Sequence, residues 1–117
     1  MIEGIGIDLI ELNRIEVLLE RQPEFPTRIL TAREMDHFLE LSKHRQIEFL
    51  AGRFATKEAF SKAFGTGIGE HVSFLDIEIL PNDVNKPIVY TDLYHGNIHV
   101  SISHSKEYAI GQIILEK

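Results

Sequence analysis

Three charged side chains and one glycine cluster carry the chemistry that can be read from this sequence. Glu58 and Lys62 stand four residues apart in "LAGRFATKEAFSKAFGTGIG" (50–69), which places them side by side on a helix. On their own they make either a surface ion pair or a carboxylate and an ammonium flanking an anion site. The helix runs into Gly65, Thr66, Gly67, Ile68 and Gly69. That loop is either a C-cap and turn or a flexible backbone whose N–H groups meet phosphate oxygens. It matches neither standard glycine-rich phosphate motif, because it follows a helix and has no Walker lysine-serine end. Asp8 adds a second carboxylate from a separate element. Two carboxylates on rigid elements suit Mg²⁺, with water and a substrate phosphate completing an octahedron. Asp8, Glu58, Lys62 and the loop together make a phosphoryl-transfer constellation that no member makes alone.

His104 is the remaining candidate. "HVSISHS" (99–105) is polar for a strand-shaped segment, with His99, Ser101 and Ser103 on one face and His104 at the strand end beside Ser105. The hydroxyls suggest phosphate contacts. A seryl nucleophile is not supported, because nucleophile-elbow glycines are missing.

The elements that must hold these residues follow from periodicity. Residues 2–10, "IEGIGIDLI", alternate as a strand, with Ile5, Ile7 and Leu9 on one side and Gly4, Gly6 and Asp8 on the other. "ELNRIEVLLER" turns helical, with Ile15, Leu18 and Leu19 on one face, and Pro23 and Pro26 end it. Thr31 and Glu34 of "TARE" form a capping box for a helix running to about Leu41. After a polar break at "SKHRQ", the long helix is expected from about Gln46 to Phe64, stopped by Gly65. Its wheel puts Phe49, Thr56, Ala59 and Phe60 on one side and Ala51, Phe54, Ala55, Glu58 and Lys62 on the other. An alanine-rich second side implies cover there too, by another element or another subunit. "VSFLDIEIL" (72–80) is expected as a strand, residues 88–94 as a further one, and "NIHVSISH" and "YAIGQIILE" as a hairpin joined at "SKE". The pattern is β-α-α-α-β-(β)-β-β, an α+β class domain over 1–117 with helices packed on an antiparallel sheet.

Composition narrows the function classes. Hydrophobic residues at 44% and charged residues at 26% are those of an ordinary soluble domain. The absence of cysteine excludes disulfides, zinc-thiolate sites and thiol catalysis, and fits the cytoplasm. No apolar run is long enough to span a membrane, and the N-terminus lacks a basic leader. A formal net charge of −6 disfavours general nucleic-acid binding. Yet residues 43–62 hold five lysines and arginines against two acids, a local basic surface for an anionic ligand or partner.

The blocks "GIGIDLIELNRI", "FPTRILTAREM", "LAGRFATKEAFSKAFGTGIG", "FLDIEIL", "NKP" and "HVSISHSKEYAIGQIILE" span nearly the whole chain in order. Together they resemble the holo-[acyl-carrier-protein] synthases, the short bacterial branch of the phosphopantetheinyl transferases. The resemblance implies transfer of 4'-phosphopantetheine from coenzyme A to a serine of apo acyl carrier protein, with adenosine 3',5'-bisphosphate released and Mg²⁺ required. It implies that Asp8 and Glu58 hold the metal and that Lys62 lies by the phosphates. It also implies that Gly65, Thr66, Gly67 and Gly69 line the nucleotide site and that His104 sits near the 3'-phosphate. Short members of the family form homotrimers with active sites between chains, which agrees with the doubly covered wheel. Arg14 is the family's usual contact with the acidic carrier. Arg45 is the second candidate, and Arg21, Arg28 and Arg53 are further ones. A binding protein without turnover and a purely structural oligomer are the competing readings. The first is disfavoured by the intact Asp8, Glu58 and Lys62, the second by the glycine cluster and the polar "SISHS".

Overall fold

The computed structural model describes residues 1–117. Strand β1 (Ile2–Glu11) leads into helix α1 (Leu12–Arg21). A one-turn helix α2 (Phe25–Ile29) and helix α3 (Ala32–Leu39) follow. The long helix α4 (Lys43–Phe64) comes next, then a 3₁₀ turn at Phe74–Asp76. Strands β2 (Glu78–Pro81), β3 (Pro87–Tyr90), β4 (Asn97–His104) and β5 (Tyr108–Glu116) complete the chain. The sheet has the order β1-β5-β4 and is antiparallel throughout; β2 and β3 pair as a separate antiparallel ribbon. This is the α+β architecture expected, and the β4–β5 hairpin joins at Ser105, Lys106 and Glu107 as expected.

Besides the strand expected over 88–94, which is the shorter β3 at Pro87–Tyr90, four details differ from the sequence reading. Helix α4 begins at Lys43, because Ser42 takes the extended N-cap conformation and "KHRQ" becomes its solvent-exposed first turn. Helix α3 stops at Leu39. The expected strand from 72 is a 3₁₀ turn up to Asp76, capped by the Ser73–Asp76 box, and only Glu78 onward pairs. The short α2 was not anticipated: Pro26 opens it, where its missing N–H costs nothing, instead of ending α1.

Helix α4 lies across the inner face of the sheet, and glycine lets it approach. A Cβ on Gly6 would fall 1.8 Å from the carbonyl oxygen of Ala59, and one on Gly111 would fall 2.4 Å from Thr56 Oγ1. The bare side of β1 is thus the buried side, where a helix backbone takes the place of side chains. Ala51, Ala55, Ala59 and Phe60 of α4 are all fully buried. The alanine side packs with Ile10, Leu12, Ile15, Phe25 and Ile29, so β1, α1 and α2 of the same chain cover it. Of the two covers that the wheel allowed, the alanine side takes another element of the same chain, so a monomer fills it. A second cluster joins Ala59 and Phe60 to Val72, Ile77, Ile79, Ile113 and Leu115.

The uncovered apolar surface is the other side of β1. Ile5 (62% exposed), Ile7 (57%) and Leu9 (57%) face outward, in register with Ile114, Gln112 and Ile110 of β5. Three aliphatic residues on the outer face of one sheet make a patch that a solitary domain rarely shows.

Candidate active site

Asp8 sits on the inward side of β1, beside the edge of α4. The polar tip of Lys62, one turn beyond Glu58, reaches back along the helix to it. Lys62 Nζ donates to Asp8 Oδ1 at 2.9 Å and to the backbone oxygen of Ile7 at 3.0 Å. The pair is half open: the Lys62 side chain is 51% exposed, that of Asp8 20%.

Glu58 joins them electrostatically. Burial pushes its carboxyl above the ordinary carboxylate range, and the charge of Asp8 pushes it further; Lys62 and Arg14 act in the opposite direction. Two carboxylates from a strand and a helix therefore repel across a partly desolvated gap, with two cations at its margin. Arg14 brings the first turn of α1 to the same place. The sequence-derived trio of Asp8, Glu58 and Lys62 is one cluster in space.

No group of three or more histidine, cysteine, aspartate or glutamate side chains is gathered as a metal cage. The donor set is two hard oxygen ligands whose repulsion a divalent cation would relieve. That fits magnesium, which keeps several waters and takes phosphate oxygens as further ligands.

The glycine loop follows α4 at the Lys62 end. Gly65 (φ 100°), Gly67 (φ 72°) and Gly69 (φ 154°) use backbone conformations that side chains disfavour. The N–H groups of Gly65, Thr66 and Gly67 all converge on the carbonyl oxygen of Ser61, at 2.9, 3.2 and 3.2 Å. In this state the loop is a helix cap, the plainer of the two readings its sequence allowed.

His104 lies elsewhere. Its Nε2 is 3.0 Å from the carbonyl oxygen of Glu48, near the start of α4. Glu48 and Glu58 are ten residues apart on that helix, about 15 Å of axis. A cavity of about 330 Å³ opens beside His104, walled by His37, Arg45, Arg53, Asn85 and Pro87. Ser101 and Ser103 pair with Gln112 and Ile110 on the outer face, away from His104, and Ser105 Oγ accepts the N–H groups of Glu107 and Tyr108 to tie the hairpin turn. The hydroxyls therefore do not converge with His104.

Sequence reasoning missed how the arginines and one glutamate are used. Arg53, a candidate carrier contact from the sequence, is largely buried, its guanidinium 4.1 Å over the Phe49 ring and bonded to the Ile79 carbonyl at 3.2 Å. Burial lowers its pKa to about 10, partly offset by the charge of Glu34. Arg53 Nε is buried with no partner. Glu34 does cap α3 as expected, but its carboxylate is fully buried and bonded to the equally buried Lys57 at 2.6 Å. The signal was available: Lys57 lies one heptad after Leu50, on the most buried line of the helix.

Residues 4–113 match the 4'-phosphopantetheinyl transferase superfamily. The chain belongs to that superfamily. Among phosphopantetheinyl transferases it is similar to the holo-[acyl-carrier-protein] synthase of Bacillus pumilus (strain SAFR-032), 54% identical over all of this chain and 98% of the relative. It is also similar to the crystal structure of a holo-(acyl-carrier-protein) synthase from Bacillus anthracis in complex with CoA (3',5'-ADP). That likeness has a TM-score of 0.92 and 56% identity, covering 98% of this chain and 96% of that one. A more distant phosphopantetheinyl transferase, the Helicobacter pylori holo-[acyl-carrier-protein] synthase in complex with coenzyme A, still gives a TM-score of 0.85 at 32% identity, over 96% and 99% of the two chains.

Proposed function

We infer that this chain moves 4'-phosphopantetheine from coenzyme A to a serine hydroxyl of apo acyl carrier protein and releases adenosine 3',5'-bisphosphate. The observation that carries the reading is the meeting of Asp8, Glu58 and Lys62, drawn from β1 and α4, in a chain of this superfamily. Asp8 and Glu58 would hold a magnesium ion, which when bound neutralises charge on the donor pyrophosphate. Lys62 offsets charge on the phosphate oxygens as the bond to the leaving nucleotide lengthens. The serine oxygen attacks the β-phosphorus, its proton passes to Glu58 or to water, and the α-phosphate departs with the nucleotide. Arg14, at the margin of the same cluster, receives the acidic carrier close to the reacting atoms. Both substrates place the protein in the cytoplasm.

The active unit is a trimer. The cavity at His104 suits the nucleotide end of the donor: Arg45, Arg53 and a histidine converge there, and Arg53 has an unused buried donor. It lies about 15 Å along α4 from the carboxylates and Lys62 of the same chain. Two protomers meeting through the exposed Ile5, Ile7 and Leu9 row bring one chain's cavity to the other's carboxylates, and a three-fold ring closes the set.

The deciding experiment mixes the protein with coenzyme A, Mg²⁺ and apo carrier and weighs the carrier. A gain of one phosphopantetheine supports the reading; an unchanged mass with a validated carrier rejects it. Co-expression of Glu58→Gln with His104→Ala tests the shared site. Each variant alone is impaired, and random mixed trimers regain activity at about a quarter of their sites. No regain means that both halves come from one chain.

A further inference from the structure

The buried carboxylate of Glu34 has more partners than its cap requires. Oε1 accepts the Thr31 N–H at 2.9 Å and the Lys57 ammonium at 2.6 Å, and Oε2 accepts the Ile79 N–H at 2.8 Å. Lys57 Nζ also donates to the Ile29 carbonyl at 2.7 Å. The two N–H bonds take one oxygen each, so a glutamine would keep one of them and turn its own N–H toward the other. The negative charge is needed for cations, and two cations of α4 share it: Lys57, by contact, and Arg53, through space. Only Arg53 reaches a cavity wall.

Ile79 ties the three together. Glu34 holds its N–H while Arg53 Nη2 donates to its carbonyl oxygen at 3.2 Å. Ile79 is fully buried in β2, the strand whose ribbon carries Asn85 and Pro87 to the cavity. One carboxylate thus fixes both the ribbon that walls the cavity and the counter-charge beneath its arginine. A buried ion pair kept only for stability gains little over apolar side chains of the same volume.

We propose that Glu34 is a positioning residue for the reaction, fixing the Arg53 guanidinium and the β2–β3 ribbon so that the cavity receives the phosphate-bearing nucleotide end of the donor. The proposal rests on the nucleotide reading of that cavity. Glu34 never touches the donor. Its effect falls on nucleotide affinity, because its hydrogen bonds go to Thr31, Lys57 and Ile79 and none to Asp8, Glu58 or Lys62.

The test uses the paired variant Glu34→Gln/Lys57→Met, which removes both buried charges together and avoids stranding one. Adenosine 3',5'-bisphosphate is the binding probe, followed by calorimetry, beside Arg53→Gln and the triple variant. Arg53→Gln weakens the probe about tenfold or more. The paired variant weakens it roughly five- to tenfold and raises KM for coenzyme A alike, with kcat within about twofold and KM for the carrier unchanged. In the Arg53→Gln background the paired change adds less than it does alone, because part of its effect passes through that guanidinium; full additivity overturns the coupling. If Arg53→Gln is weak while the paired variant binds normally or does not fold, Glu34 serves the fold alone and the proposal is overturned. Normal binding by Arg53→Gln instead removes the nucleotide reading of the cavity, and the role of Glu34 with it.

Discussion

Lys62 Nζ lies 2.9 Å from Oδ1 of Asp8, one of the two carboxylates that would take a divalent cation. An ammonium and a bound metal would therefore compete for one oxygen, and in the proposed reading Lys62 would have to let go before serving a phosphate. Lys62→Met should bind Mn²⁺ about two- to fivefold more tightly than the parent in the absence of donor, the range of a half-open ion pair. Turnover should fall by roughly 10²-fold or more, if Lys62 is the charge that faces the phosphates as proposed. Calorimetric titration with Mn²⁺ checks the first result and the carrier mass assay the second; an unchanged or weaker Mn²⁺ affinity contradicts the competition.

Glu58 is held above its ordinary pKa, mainly by burial and then by Asp8. The folded state thus favours the protonated form. That contribution to stability is present in full below the unfolded carboxylate value and is lost as pH rises through the folded one. Glu58→Gln should therefore raise the metal-free melting temperature at pH 7 by roughly 1–3 °C, a gain reduced by solvent screening. The gain should vanish near pH 4 while metal-dependent turnover is lost at every pH. Scanning calorimetry at the two pH values is the check, and a Glu58→Gln protein less stable at pH 7 refutes it.

The approach of β1 to α4 sets a limit on Gly6. A methyl group there would meet the Ala59 carbonyl at 1.8 Å, a backbone atom that cannot swing aside. Gly6→Ala should cost about 2–4 kcal/mol in chemical denaturation. Gly67→Ala, which meets no neighbour but keeps φ at 72°, should cost only about 1–2 kcal/mol.

Ile7 stands in the middle of the exposed β1 row and opposite Gln112. Ile7→Glu should sediment as a folded monomer and lose turnover by roughly 10²-fold, since in the proposed trimer each protomer would hold only half a site. A trimer that persists with full activity would move the interface elsewhere.

Arg14→Glu should raise KM for the carrier about tenfold and flatten its dependence on salt, with adenosine 3',5'-bisphosphate affinity unchanged. Steady-state kinetics at two ionic strengths decide it.

Much of this architecture was legible because local rules and tertiary demands agree. The β4–β5 hairpin alternates cleanly, the Thr31–Glu34 box closes as written, and Gly65 stops α4 in the left-handed conformation. Asp8 was legible as the lone large polar group on a glycine face. Where reading failed, context overrode pattern. The polar start of α4 has no apolar stripe because solvent bathes it, and Phe74 sits in a 3₁₀ turn because the Ser73–Asp76 cap outbids pairing. The wheel of α4 could not tell a neighbouring element from a neighbouring chain. Nor could "TARE" and "KEA" show that Glu34 and Lys57 meet 23 residues apart.

The glycine cap also fixes the polarity of the site. Glu58, Lys62 and the Gly65 turn occupy the carbonyl end of a 22-residue helix, where the aligned peptide dipoles amount to roughly half a negative charge. Nucleotide folds of the P-loop kind present the opposite, amide end to their phosphates. In the proposed reading a diphosphate would enter against the field of the helix and be tolerated only across a layer of positive charge. Chelators should accordingly release the donor itself, well before they disturb the protein that holds it.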